Sequence, residues 1–461
     1  MTKVLWLVVM IIGSLFSLLS IVIYDNYFFS SILILLVFSI CFFLSNSNNK
    51  VKNFINLQSF FLLGFLLFFL GRMIAVLFNR NIGSSLFCID FIFDYCEEGD
   101  GVLYLVFIIN LILISFASAF VFSFNTGRHS SKSTIVIDCK HVSKNKFFVI
   151  YLIGLLSLIS VIFSTLDTVY LAINSGYMAL YANQAESYTP PFFLLVSTIS
   201  IASMAVIYSV REQFRPIYFK FIFSIFILSM LLSVLTGSRS SFISGILLIV
   251  WHFYKNKSIS FIRYLAISAA GLILIYFLDT IAALSGARPH DANGSFLKTL
   301  SETFYNQGIT LMVFNSSINV ESYPVLGYLK TLFPGVQVLF SQFGVTERYD
   351  FDWSSFMTYH ENSEAYAAGF GLGWSIFSDF YVLSFGFLPI FCLLVFLLGK
   401  FVITVNNTES QFRIGLLFIC ILSFFSIVRS SISPLIFTII IYLIFSLYIR
   451  TLYFKRKSWM K

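Results

Sequence analysis

Twelve apolar runs, separated by short polar segments, divide the chain. They cover roughly residues 4–23, 27–45, 54–79, 102–124, 147–166, 191–210, 217–236, 241–254, 264–281, 380–399, 413–428 and 432–450. Most approach the roughly 20 residues that a helix needs to cross about 30 Å of hydrocarbon. The runs 241–254 and 413–428 are short, and each meets a Ser-rich turn at one end. That predicts helices starting below the membrane surface. The pattern predicts an all-α polytopic membrane protein with about 12 transmembrane helices. The first run begins at Val4 and lacks a small-residue cleavage site, so it reads as a retained helix. No internal repeat is visible.

Between the ninth and tenth runs lies a different kind of sequence. Residues 282–379 are too polar to span a membrane and too rich in Phe, Leu and Tyr to stay disordered. They predict one large extracytoplasmic loop. Within it, residues 296–315 alternate apolar and polar with a rough helical period, as expected of a helix lying at the interface. Pro324, Pro334 and Gly335 break the following part into short pieces. The chain thus falls into three parts: helices one to nine over 1–281, the loop over 282–379, and three helices with a basic tail over 380–461.

Composition removes the soluble alternative. Of 461 residues, 58% are hydrophobic and 11% charged. A soluble domain is nearer half apolar and a quarter charged. The net charge of +8 is not a nucleic-acid signal, because the charges are sorted along the chain. With the N-terminus inside, about 21 of the 29 Lys and Arg fall in cytoplasmic segments and about 18 of the 21 acids outside. Both termini are therefore expected in the cytoplasm. Cys88 and Cys96 share one outer loop and stand equally well as a disulfide or as two thiols. No CxxC pair or His cluster points to a metal.

Ionisable groups are expensive in a membrane, roughly 2.5–3.5 kcal/mol for an Arg at a helix centre on insertion scales. Those placed against the charge rule are the candidates for chemistry. Arg239 lies in TGSRSS between two helices, flanked by Ser238 and Ser240. Small residues leave backbone N–H groups and hydroxyls beside a cation, at the positive end of the following helix. Together they describe a phosphate or pyrophosphate site; the bland reading is a snorkelling turn residue. Arg429 in IVRSS repeats the pattern before the last helix, where an interfacial anchor is the alternative. Arg288, His290 and Asp291 follow the ninth run, and His360, Glu361 and Glu364 form a second polar cluster. A His or carboxylate there suits a general base, although surface polar clusters are common. Arg72, near the outer end of the third run, is either a buried structural cation paired with an outer acid or a ligand contact. Trp353, Tyr359, Tyr366 and Trp374 offer ring faces for sugars, or an interfacial aromatic belt.

The TGSRSSF turn, the long late loop and the closing segment GFGLGWSIFSDFYVLSFG (369–386) resemble the Wzy-type O-antigen polymerases. Members of that family often carry Glu where this chain has Asp379. The resemblance implies a GT-C-like, metal-independent, inverting glycosyltransferase of the bacterial inner membrane. It implies an undecaprenyl-pyrophosphate-linked glycan donor, a lipid-linked repeat unit as acceptor and no cofactor. A chain-length regulator and a flippase of the same pathway are implied partners. In that reading Arg239, Arg429 and Arg288, with Ser238 and Ser240, bind the pyrophosphate, while His290, Asp291 or Glu361 takes the acceptor proton. Arg72, His360, Glu364 and Asp379 are secondary candidates. Two rivals stand beside it: an O-antigen ligase and a lipid-linked oligosaccharide transporter. The transporter reading fits less well, because the halves differ and one loop dominates.

Overall fold

The computed structural model describes residues 2–24, 26–47, 54–90, 93–123, 143–175, 191–236, 239–255, 257, 259–267, 269–271, 273, 296–343, 347–406 and 410–458. Helices dominate. In the first part they are α1 (Thr2–Tyr24), α2 (Tyr27–Asn46), α3 (Leu57–Phe68), α4 (Gly71–Phe78), α5 (Asp100–Phe122), α6 (Lys144–Ser175), α7 (Pro191–Val210), α8 (Pro216–Leu232) and α9 (Arg239–Tyr254). The loop carries α10 (Phe296–Gln307), α11 (Thr310–Asn319), α12 (Val325–Leu332), α13 (Gln337–Gln342), α14 (Trp353–Glu361), α15 (Ser363–Ala367) and α16 (Ile376–Leu383). The last helices are α17 (Leu388–Asn406), α18 (Gln411–Phe424) and α19 (Ser433–Ser458). A small hairpin, β1 (Cys88–Asp90) with β2 (Asp94–Cys96), pairs antiparallel before α5.

Among the described residues, seven helices are long and apolar enough to cross a membrane, eight with the bent pair α3–α4. The expected runs 241–254, 413–428 and 432–450 coincide with the shorter apolar stretches Ser240–Tyr254, Gln411–Phe424 and Ser433–Ile449, and the run 264–281 overlaps the stretch Phe261–Gly271. The tenth run starts later than expected, at Leu388. Residues 376–383 form a separate helix, ended by Phe385 and Gly386 in left-handed backbone (φ +53° and +72°).

The helices share two ends. At one, Lys400 Nζ donates to Ser123 Oγ (2.7 Å), the Leu57 N–H to Asn406 Oδ1 (3.5 Å) and Gln213 Nε2 to Gln411 Oε1 (3.4 Å). Lys255 Nζ donates to Tyr208 Oη there (2.8 Å), and the Arg211 guanidinium lies over the Tyr208 ring. This is the basic end. The opposite end carries the disulfide-bonded hairpin and the helices of the loop. Between them, Asn110 of α5 bonds Ser14 and Ser17 of α1 (3.0 Å each), which fastens helices that gain little from burying apolar surface in lipid.

The α3–α4 pair is bent by 58° at Phe69–Leu70. There α10 crosses α4 so closely that a Cβ on Gly308 would stand 2.4 Å from the Arg72 backbone nitrogen. Arg72, in the first turn of α4, is buried. Its guanidinium donates to the carbonyls of Leu86 (3.1 Å) and Cys88, and lies 4.2 Å over the Tyr305 ring. It thereby rivets α4, the hairpin and α10 together.

Residues 296–315 are two helices broken at Gly308 rather than one. Nor do they lie freely at an interface: Thr310–Ser317 are all buried. Trp353, Trp374, Met357, Leu372, Val313, Val320 and Val382 form a second core under the loop helices. The rings of Trp353 and Trp374 are therefore core, not sugar platforms. Gly308→Ala is expected to cost about 2 kcal/mol through overpacking at the α4–α10 crossing. It should lower the unfolding midpoint in detergent; an unchanged midpoint would show that the crossing yields without cost.

Candidate functional site

Arg429 and Arg239 stand at the loop end of the bundle. The α8 helix leaves Gln213 at the basic end, and α9 returns from Arg239 to Lys255, whose ammonium sits on Tyr208 at that same end. Likewise α18 leaves Gln411 at the basic end and delivers the turn Ile427–Arg429 to the other. Arg239 is the first residue of α9, and Ser240 is exposed in its first turn. Ser238, Arg288, His290 and Asp291 lie outside the described residues.

The Arg429 turn is anchored from three sides. Ile427 and Val428 are buried beneath it. Below, a Cβ on Gly64 of α3 would come within 2.1 Å of the Phe425 carbonyl oxygen, so only Gly lets α3 approach the end of α18. Beyond, Asp379 accepts the Ile432 N–H at Oδ2 (2.6 Å). Its other oxygen, Oδ1, accepts from Trp374 Nε1 (2.7 Å). The exposed Arg429 donates from Nη1 to Gln307 Oε1 (3.1 Å) and lies 5.9 Å from the Phe68 ring centroid.

Asp379 is fully buried, so its carboxylate cannot meet a substrate in this arrangement. It belongs to the first turn of α16, capped by Ser375, whose hydroxyl accepts from the Ser378 N–H (2.9 Å). Burial raises its carboxyl to about 6, against the opposing donors from Ile432, Trp374 and Ser431. Asp379 is thus a fastener between the segment 374–379 and the turn that presents Arg429.

Asp352 contrasts with it. Burial also works to raise this carboxyl, but the charges of Lys330 and Arg348 outweigh burial and hold it at about 2. Lys330 is paired with it, and Asp352 caps α14 by accepting the Ser355 N–H (3.1 Å). This cation is committed to the fold of the loop.

His360 and Glu361 sit at the other end of α14. His360 Nδ1 lies 3.6 Å from Glu361 Oε1, with side chains 55% and 23% exposed. Glu364 is exposed in α15. Tyr349 and Tyr359 stack at 4.2 Å, with Tyr366 edge-on at 5.7 Å to Tyr359. Sequence reasoning did not single out Glu97 as a site residue. It follows Cys96 in the hairpin and accepts from Asn315 Nδ2 (2.6 Å) and the Tyr95 hydroxyl. Five acids between 90 and 100 marked that segment as acidic, without separating Glu97 from its neighbours.

Residues 5–461 match the family described as O-antigen polysaccharide polymerase Wzy. The chain belongs to that family. No curated protein and no solved structure matches the chain. The O-antigen polymerase family acts on lipid-linked oligosaccharide repeat units in the membrane, by glycosyl-transfer-like polymerisation. Membership makes this chain a multi-pass inner-membrane protein, in keeping with its spans.

The raised carboxyl of Asp379 carries a pH signature. Folding favours its protonated form, so its stability contribution is full below the unfolded value near 3.8 and is lost as pH rises to about 6. The loss is on the order of 3 kcal/mol. Asp352 works in the opposite sense below about pH 4 and leaves the window from 4 to 6 to Asp379. Asp379→Asn is therefore expected to flatten unfolding midpoints between pH 4 and 6 relative to wild type. Parallel curves for the two proteins would contradict the assignment.

Proposed function

We propose that this chain polymerises undecaprenyl-pyrophosphate-linked oligosaccharide repeat units into a surface polysaccharide, on the outer face of the cytoplasmic membrane. The basic end then faces the cytoplasm with both termini, and the loop end faces outward. The observation that carries the reading is the delivery of Arg239 and Arg429 to one end of the bundle, the end that the loop helices cover.

The chemistry follows from charge. A hydroxyl oxygen of the acceptor sugar forms a bond to the anomeric carbon of the donor. The bond from that carbon to the diphosphate oxygen breaks, and its electron pair stays on the diphosphate. Displacement from the opposite face inverts the anomeric centre. Guanidinium groups neutralise the growing charge in fork geometry, and a metal ion is not required for that task. Arg429 and Arg239 take this role, with Arg288, which follows the ninth run. The acceptor proton passes to Glu361, a partly exposed carboxylate beside His360, or to His290 or Asp291.

The test is a strain lacking the gene, complemented with variants, followed by sizing of its surface polysaccharide. Wild type should restore a ladder of repeat units. Arg239→Ala and Arg429→Ala should insert normally and lower chain lengthening on the order of 100-fold, leaving single repeats. The Lys variants should rescue poorly, because a point charge lacks the fork. Normal ladders from both Ala variants would remove the arginines from the mechanism. A wild-type protein that only transfers preformed chains would be a ligase instead.

A further inference from the structure

Three tyrosines of the loop have no part in the chemistry above. Tyr349 precedes α14, Tyr359 lies in its last turn, and Tyr366 belongs to α15. Tyr349 and Tyr359 stack with ring centroids 4.2 Å apart and planes 12° from parallel. Tyr366 stands nearly perpendicular to both, 5.8 Å from the first and 5.7 Å from the second. Such equal distances put Tyr366 beside the stack, because a ring on the outer face of Tyr359 would lie much further from Tyr349. The outer faces of the stacked pair are thus left open by it, and Tyr359 is 40% exposed. Among the described residues, none of the three hydroxyls has a hydrogen-bond partner.

The fold does not call for this arrangement. The core under the loop helices is built on Trp353, Trp374 and their neighbours, and the three tyrosines are not members of it. Nor do they match an interfacial belt, where rings border lipid. Glu347, Arg348 and Asp350 flank Tyr349, His360 and Glu361 follow Tyr359, and Glu364 lies two residues before Tyr366. Rings among so many ionisable groups are bathed in water. An open ring face with phenol hydroxyls beside it is complementary to a sugar, which offers a C–H face to the ring and hydroxyls to the rim.

The rim also selects by charge. Glu347, Asp350, Glu361 and Glu364 bring carboxylates, and Arg348 is the guanidinium among them. Asp352 is already paired with Lys330. A sugar bearing a carboxylate or phosphate meets net repulsion over a Debye length, about 8–10 Å at physiological salt. An uncharged sugar meets hydrogen-bond acceptors. Tyr359 and Glu361 are two positions apart in α14, about 200° around its axis, so they serve different rings of a glycan.

We infer that Tyr349, Tyr359 and Tyr366 form a subsite for uncharged sugar residues of the glycan, apart from the residue that reacts. Resting on the function proposed above, this subsite gives the repeat unit a chemical class: the residues seated on the tyrosines carry no carboxylate and no phosphate. Holding the glycan at a second point raises its effective concentration at the site between additions. The tyrosines therefore lengthen the chains without taking part in bond formation.

Saturation-transfer NMR on the purified full-length protein tests this with two lipid-free probes. N-acetylchitotetraose is uncharged; tetragalacturonate has the same number of rings and a carboxylate on each. Wild type at low salt is expected to bind N-acetylchitotetraose at least tenfold more tightly, and a photoactivatable derivative of it should label α14 and α15. Tyr359→Ala should weaken binding at least tenfold with an unchanged unfolding midpoint, while Tyr359→Phe, which keeps the ring, should retain it. In the complemented deletion strain, Tyr359→Ala should lose the longest chains and still add the first repeats. Absence of binding to N-acetylchitotetraose, equal binding of tetragalacturonate, or labelling confined to other helices overturns the subsite, and none of these needs a variant to fold. Undiminished binding or a wild-type ladder in folded Tyr359→Ala overturns it too. Binding as expected in a protein that makes no polymer would leave the subsite standing and sink the proposed function.

Discussion

The carboxylate of Asp379 connects the two halves of the architecture. One oxygen takes the indole N–H of Trp374, a core residue of the loop; the other takes the backbone N–H of Ile432, next to the last helix. An acceptor buried this deeply is tolerable only with such donors, since an unsatisfied buried polar group costs about 1–3 kcal/mol. The pair of bonds fixes the spacing between the loop core and the Arg429 turn. Ser433 Oγ, donating to the Lys330 carbonyl (3.3 Å), adds a second tie from the same turn to the loop. Lys330 in turn is paired with Asp352, which caps α14. Arg429 is thus positioned by a chain of contacts that runs through the whole loop.

On the membrane side, steric fit does what hydrophobicity cannot. Lipid tails are as apolar as the helices, so apolar burial gives little drive for helices to associate. The bend at Phe69–Leu70 aims α4 at α10, and Gly308 allows the contact. Arg72 fills the resulting corner with a cation that meets carbonyls and a ring. Gly64 has the corresponding role under the Arg429 turn. Both arginine-bearing corners depend on a glycine in an apolar helix or loop, a residue that periodicity treats as neutral.

Much of this was legible in the sequence because membrane burial leaves strong marks. Long apolar runs and sorted charges marked the apolar helices and separated a basic end from the rest, although about twelve spans were expected and seven, or eight with the bent pair, are long and apolar enough among the described residues; the family followed from the closing segment. What escaped notice depends on contacts between distant residues. The segment 376–383 is as apolar as a span, and only the left-handed turn at Phe385–Gly386 detaches it from α17. Trp353 and Trp374 looked like exposed faces because a loop of that composition gives no hint of its own core. Cys88 and Cys96 stood undecided until strand pairing set them opposite each other in a disulfide. Asp379 kept the family's charge at a recognisable position, but its burial, and hence its role as a fastener, is a property of the fold.

The cations of the loop end differ in what they are bound to, and that difference sorts them by use. Lys330 faces a carboxylate that its charge helps hold at about 2, so most of its field is cancelled within the protein. Arg72 is buried among carbonyls and a ring, where no large anion can reach it. Arg429 is exposed and donates to the neutral amide oxygen of Gln307, a contact that orients the guanidinium at the surface of the loop end.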